Sequence, residues 1–241
     1  MSLLLEAIKK GDLERVKYLC EDGADIRSED DLSVQCASEY GHLEVVKYLV
    51  SLGADIRKKN DYTVRLACCY GHLEVVKYLC EAGADIQSGN DFAVAVQLAS
   101  QNGHYEVVKY LYEAGTDIWN DNFALQLASQ NGHIHVVKYL CKAGADICRY
   151  NDSAIQFASR YGHLEVVKYL SEAGADISNI SENHRKYILF CQKMEAKKKE
   201  RAQKKIYFWW IPICYDLNRE CGKRMMIKNL EKAKELGLEF T

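Results

Sequence analysis

Six times along the chain a Gly-Ala-Asp-Ile or close variant returns, with its glycine at Gly23, Gly53, Gly83, Gly115, Gly144 and Gly174, at spacings of 30, 30, 32, 29 and 30 residues. A period of this size restricts the fold to a stack of small units, because thirty residues cannot bury their own apolar face and need neighbours to cover it. A second glycine keeps the same rhythm at Gly11, Gly41, Gly71, Gly103, Gly132 and Gly162. From the second unit onward it precedes His42, His72, His104, His133 and His163. The units divide the chain into 1–30, 31–60, 61–90, 91–120, 121–150 and 151–180, with a non-repeating segment at 181–241.

Each unit reads as two short helices. In the third, the segment from Tyr62 to Tyr70 forms the first helix, Gly71 ends it in a left-handed cap, and Leu73 to Ala82 forms the second, closed by Gly83. Leu73, Val76, Leu79 and Cys80 make one apolar stripe along the second helix, and Glu74 and Lys77 form an outward i,i+3 pair. The Asn-Asp pairs at Asn60-Asp61, Asn90-Asp91 and Asn151-Asp152 suit a turn whose last residue caps the following helix. Helices of about ten residues are marginal alone in water, so stacking must hold them. The expected fold is an all-α solenoid of helix pairs with short connecting loops.

Composition fits a globular chain, at 48% apolar and 27% charged residues. Leu3-Leu4-Leu5 is followed at once by Glu6, Lys9 and Lys10, which is not the pattern of a signal peptide. The longest apolar run, residues 206–215, is about half the length of a membrane-spanning helix. These features give the expectation of a cytoplasmic protein with no membrane partner. Of the ten cysteines, Cys20, Cys80 and Cys141 occupy one repeated helical position as small apolar fillers, no CxxC pair occurs, and the side chains of Cys68 and Cys69 diverge on a helix. We therefore expect no disulfide framework and no metal.

The segment GHLEVVKYLCEAGADI at residues 71–86 resembles the second half of the ankyrin repeat, and six in-phase copies extend the resemblance over about residues 1–180. The first half departs from that family: NDYTVRLA, NDNFALQLA and NDSAIQFA stand where Asp-x-x-Gly-x-Thr-Pro-Leu-His is usual, and each unit is about three residues shorter. Gln35, Arg65, Gln97, Gln126 and Gln156 replace the motif histidine. The resemblance implies an ankyrin solenoid with stubbier loops than usual. The short period, the recurring YGHLEVVKYL and the tail KKIYFWWIPICYDLNRECGKRMM together resemble the ankyrin proteins of mimivirus-like giant viruses. That likeness implies a virus-encoded interaction protein acting on a host or viral protein.

Within the strict repeat, the two residues before the interhelical glycine vary: Glu39 and Tyr40, Cys69 and Tyr70, Gln101 and Asn102, Gln130 and Asn131, Arg160 and Tyr161. Packing fixes a framework and binding frees a surface, so these ten are the candidate protein-binding residues. In ankyrin proteins the matching positions face the concave groove. The five motif histidines read as loop residues that pack and hydrogen-bond between units, and Tyr18, Tyr48, Tyr78, Tyr110, Tyr139 and Tyr169 as a packing ladder with rim hydroxyls. No set of nucleophile, base and orienting group stands out and no glycine-rich phosphate loop occurs, so the expectation is a monomeric scaffold without enzymatic activity, cofactor or small-molecule substrate.

After Ile180 the charge balance reverses. Residues 1–180 hold 17 basic and 26 acidic side chains, a net of −9, whereas residues 181–241 hold 15 and 8, a net of +7. Asn183 could cap a helix carrying Tyr187, Ile188, Cys191 and Met194 that opens a seventh, imperfect unit. The basic run 197–205 reads as a solvated helix face, with nuclear import or nucleic-acid contact as sharper alternatives that the lack of interleaved aromatics disfavours. Phe208, Trp209 and Trp210 either seal the last repeat or dock a partner, and a final helix over about 219–236 would fold against them. An apolar segment, Pro212 and a helix together resemble the F-box-like ends of poxvirus ankyrin proteins, which gives the alternative of an adapter recruiting host ubiquitin ligase.

Overall fold

The computed structural model describes residues 3–84, 90–114 and 122–214, which form helices joined by turns and loops with no strand among them. Six helix pairs follow one another: α1 (Leu3–Lys10) with α2 (Leu13–Glu21), α3 (Ser28–Glu39) with α4 (Leu43–Ser51), α5 (Lys58–Tyr70) with α6 (Leu73–Glu81), α7 (Asn90–Gln101) with α8 (Tyr105–Glu113), α9 (Asn122–Gln130) with α10 (Ile134–Lys142), and α11 (Arg149–Tyr161) with α12 (Leu164–Glu172). A thirteenth helix, α13, runs Glu182–Cys214. The chain forms two compact units, Met1–His184 and Arg185–Thr241. The final helix expected over 219–236 lies outside the described residues, as do the side chains of Phe208, Trp209 and Trp210.

In the first unit the core is a column of repeated apolar residues. Each later second helix buries a Val-Val-Leu set, as Val45, Val46 and Leu49 in α4 and Val75, Val76 and Leu79 in α6. The stripe expected on α6 is thus displaced: Val75 is in the core, and Leu73 and Cys80 are only half-buried. The helix is covered both by its own first helix and by the second helices beside it, so the buried arc is set by two contacts rather than one. The outward pairs form as expected, with Lys17–Glu14 at 2.7 Å, Lys47–Glu44 at 2.7 Å and Lys77–Glu74 at 2.8 Å. First helices pack on one another more extensively than second helices do. The first helices therefore stand closer together than the second helices, and their side is the inner side of the array.

The first helices begin earlier than the sequence pattern indicates. α5 starts at Lys58, so Asn60 and Asp61 lie inside it and do not form a preceding turn. Asp61 is no helix cap: Asp31, Asp61 and Asp152 sit at matching places one turn into α3, α5 and α11 and take left-handed φ of 60°, 54° and 57°. The carboxylates of Asp31 and Asp152 reach forward into the loop that follows their own unit's second helix. The Asp31 Oδ1 accepts the backbone N–H of Asp55 at 3.1 Å, and the Asp152 Oδ1 accepts that of Asp176 at 3.1 Å. Asn122 does the same for Asp146 at 3.2 Å. Asp31 is fully buried and also meets Lys58 Nζ at 3.2 Å. Short polar side chains tolerate left-handed backbone better than other residues, which is why an Asp can make this bend and reach forward from it.

On the opposite edge of the stack a histidine ladder runs backward. The Nε2 of His42, His72, His104, His133 and His163 donates to the carbonyls of Lys9, Glu39, Cys69, Gln101 and Gln130 in the preceding unit, at 2.8–3.0 Å. Each histidine stands at the N-cap position of its second helix yet makes no side-chain cap bond there. Asp12, at the same place before α2, accepts from the Arg15 backbone N–H at 3.0 Å. The sequence reading of these histidines as inter-unit hydrogen-bonding residues matches this geometry. Burial holds His104 below the usual imidazole value, and His72 and His133 push in the same direction against the bond to Cys69.

α13 departs from the expected opening of a seventh unit. It continues for 33 residues without the glycine-marked break that ends every first helix, and its start is capped by Ser181, whose Oγ accepts the His184 N–H at 3.4 Å, not by Asn183. Asn183 lies within the first turn.

Candidate functional site

The ten variable positions fall at the C-terminal ends of the first helices, on the inner side of the stack, and the structure divides them by role. Tyr40, Tyr70 and Tyr161 expose 43%, 48% and 53% of their surface. The Tyr40 ring stacks on His42 at 6.4 Å and takes the Lys9 ammonium at 5.9 Å, a cation–π contact that orients it. The negative charge of Glu39 nearby holds the Tyr70 phenol above the ordinary value. Arg160 lies over Phe157 at 5.8 Å.

The two asparagines serve the framework. Asn102 Nδ2 donates to the Leu98 carbonyl at 3.0 Å and to the Cys69 carbonyl of the preceding unit at 3.0 Å. Asn131 Nδ2 donates to the Leu127 carbonyl at 3.0 Å. These amides add a second donor to helix-end carbonyls that already accept the backbone N–H of Asn102 and Asn131 or the His104 ring. Gln101 is exposed, Gln130 and Cys69 are half-buried, and burial pushes the Cys69 thiol up.

Two exposed aromatics belong to the same face and were missed from the sequence. Tyr62, 40% exposed, stands on α5 seven residues before Cys69, and Phe123, 50% exposed, on α9 seven residues before Gln130. A seven-residue step brings a helix side chain back to the same face. The equivalents are Leu32, Val94 and Ser153, so this row varies as freely as the chosen one, and that variation is the signal that could have found it. The inner face thus carries an aromatic set, Tyr40, Tyr62, Tyr70, Phe123 and Tyr161, spread over units two, three, five and six.

The tyrosine ladder of the second helices behaves as a packing feature. Tyr139 makes edge contacts with Tyr105 at 5.7 Å and Tyr112 at 5.8 Å, and Tyr110 meets Cys80 of the preceding unit, with burial pushing its phenol up to about 12. Tyr18 is the exposed member. The cysteines beneath are free thiols. Burial drives Cys68 upward and Cys141 up to about 11, so neither is a thiolate near neutral pH. Among the described residues no group of three His, Cys, Asp or Glu side chains is placed to hold a metal ion.

Three stretches of the chain, 1–60, 61–122 and 96–181, match the family described as Ankyrin repeats. No curated protein matches the chain as a relative. Solved structures do, among them the human ASB11 ankyrin repeat domain, at 25% identity and a TM-score of 0.65 over 76% of this chain and 89% of that one.

Proposed function

Because the chain belongs to the ankyrin-repeat family, whose arrays are protein–protein interaction modules, we propose that it is a non-enzymatic scaffold binding a protein partner across the inner face of its first helices. The observation that carries this reading is the concentration of exposed aromatics there. Large apolar side chains on a rigid surface are costly to leave in water and are the usual anchors of protein interfaces. The net charge of −9 over residues 1–180 disfavours a phosphate backbone as the ligand of this face. The resemblance of the tail to giant-virus ankyrin proteins supports a host or viral protein as the partner, met in the host cytoplasm.

Changing Tyr40, Tyr62, Tyr70, Phe123 and Tyr161 together to alanine should reduce partner capture by roughly a hundredfold or more, since interface aromatics contribute about 2 kcal/mol each at hot spots. Asn102 and Asn131 are left intact because they hold the framework. Melting should stay close to that of the unmodified chain, as exposed substitutions usually cost under about 0.5 kcal/mol each. Capture that survives this change and disappears on removal of residues 206–241 would reject the inner face and favour the ubiquitin-ligase adapter.

A further inference from the structure

We propose that α13 is a peripheral anchor that lies on an anionic lipid surface and tethers the scaffold there. Tyr187, Phe190 and Met194 follow one another at three- and four-residue steps on this helix and are all exposed. The same stripe continues into Lys197, Lys198 and Arg201, also exposed. Residues 193–205 hold seven Lys or Arg against two Glu, and the helix then enters the sequence Ile-Tyr-Phe-Trp-Trp-Ile from residue 206. A basic run bounded by apolar blocks suits a membrane interface, where lysines meet phosphate and carboxylate headgroups while apolar and aromatic side chains enter the boundary below them.

Nucleic acid shares the phosphate chemistry but fits less well. Single-stranded binding needs aromatic platforms alternating with the charges, and here the charges stand in one block. Among the described residues no helix is long and apolar enough to cross a membrane, and a helix lying flat requires no such length. The segregation of charge gives the tether a direction, because an anionic surface attracts the tail at +7 and repels the repeats at −9.

The test uses the full chain, sedimented with vesicles of phosphatidylcholine alone or with about a third phosphatidylserine, a composition that gives the negative surface potential the basic run requires. Binding should occur to the anionic vesicles only and weaken as salt rises above about 0.1 M, where the screening length falls below about 10 Å. Combined Lys197→Glu, Lys198→Glu and Arg201→Glu substitutions should lower partitioning roughly a hundredfold. Phe190→Ser with Met194→Ser should weaken it while leaving the melting temperature in place. Failure to bind anionic vesicles, equal binding to neutral ones, or tight binding to an oligonucleotide without binding to vesicles would overturn the proposal. A large drop in melting temperature from the Phe190 and Met194 changes would overturn it too, because it would assign those side chains to the folded core.

Discussion

Gly71→Ala should destabilise the array by about 2–5 kcal/mol, and Gly162→Ala, at the same place three units later, by only about 1–2 kcal/mol. Both glycines are left-handed, with φ of 80° and 82°, so both substitutions carry the strain of placing a Cβ there. They differ in what lies above. A Cβ on Gly71 would come within 2.6 Å of His104 Cε1 and 2.7 Å of Cγ, whereas one on Gly162 meets nothing within 4 Å. The His104 ring is fixed by its bond to the Cys69 carbonyl at 2.9 Å, so it can retreat only by losing that bond. Overpacking of this kind adds about 1–3 kcal/mol. Chemical denaturation of the two variants decides the matter: equal losses would mean that the ring moves freely and the histidine ladder is not a fixed part of the interface. A double variant with His104→Ala should recover part of the Gly71→Ala loss, the coupling that marks a direct contact.

The second large effect is expected at Asp31. This residue joins a left-handed backbone to a buried carboxylate that accepts the Asp55 N–H and faces Lys58 and, at 3.9 Å, Arg27. Three substitutions separate these roles. Asp31→Asn keeps the acceptor, as Asn122 shows by making the equivalent bond, and asparagine tolerates left-handed φ, so it should cost about 1 kcal/mol or less, since the cations it gives up are partly exposed. Asp31→Gly keeps the backbone but strands the Asp55 N–H, which costs about 1–3 kcal/mol. Asp31→Ala adds the left-handed strain, a further 1–2 kcal/mol or about that. The order Asn, Gly, Ala in increasing loss is the prediction, read from denaturation midpoints. If Gly were the mildest of the three, the backbone bend alone would matter and the forward link to the loop after α4 would be incidental.

The two edges of the stack were unequally legible in the sequence. The histidine edge could be read, because a glycine-histidine pair at a constant phase has one economical role in a repeat without metal spacing. The aspartate edge was misread, since an Asp beside Asn before a helix has the same appearance whether it caps its own helix or turns left-handed and reaches forward. The distinguishing signal was the constant step of 24 residues from Asp31, Asn122 and Asp152 to Asp55, Asp146 and Asp176. The displacement of Leu73 by Val75 shows a different limit. A helical period fixes the width of an apolar stripe but not its centre, which depends on how neighbouring units lean together. Tyr62 and Phe123 were illegible for a related reason: variation beside the glycine marks only one end of a helix face that is presented again two turns earlier.

Photo-crosslinking tests the inner-face account most directly. A benzophenone amino acid placed at Tyr70 or Phe123 on the inner helices, and separately at Glu44 or Glu74 on the exposed side of α4 and α6, reports which side of the array meets the captured partner. The account predicts crosslinks from Tyr70 and Phe123 and none from Glu44 and Glu74. Crosslinks confined to the glutamate positions would contradict it and move the binding surface to the second helices.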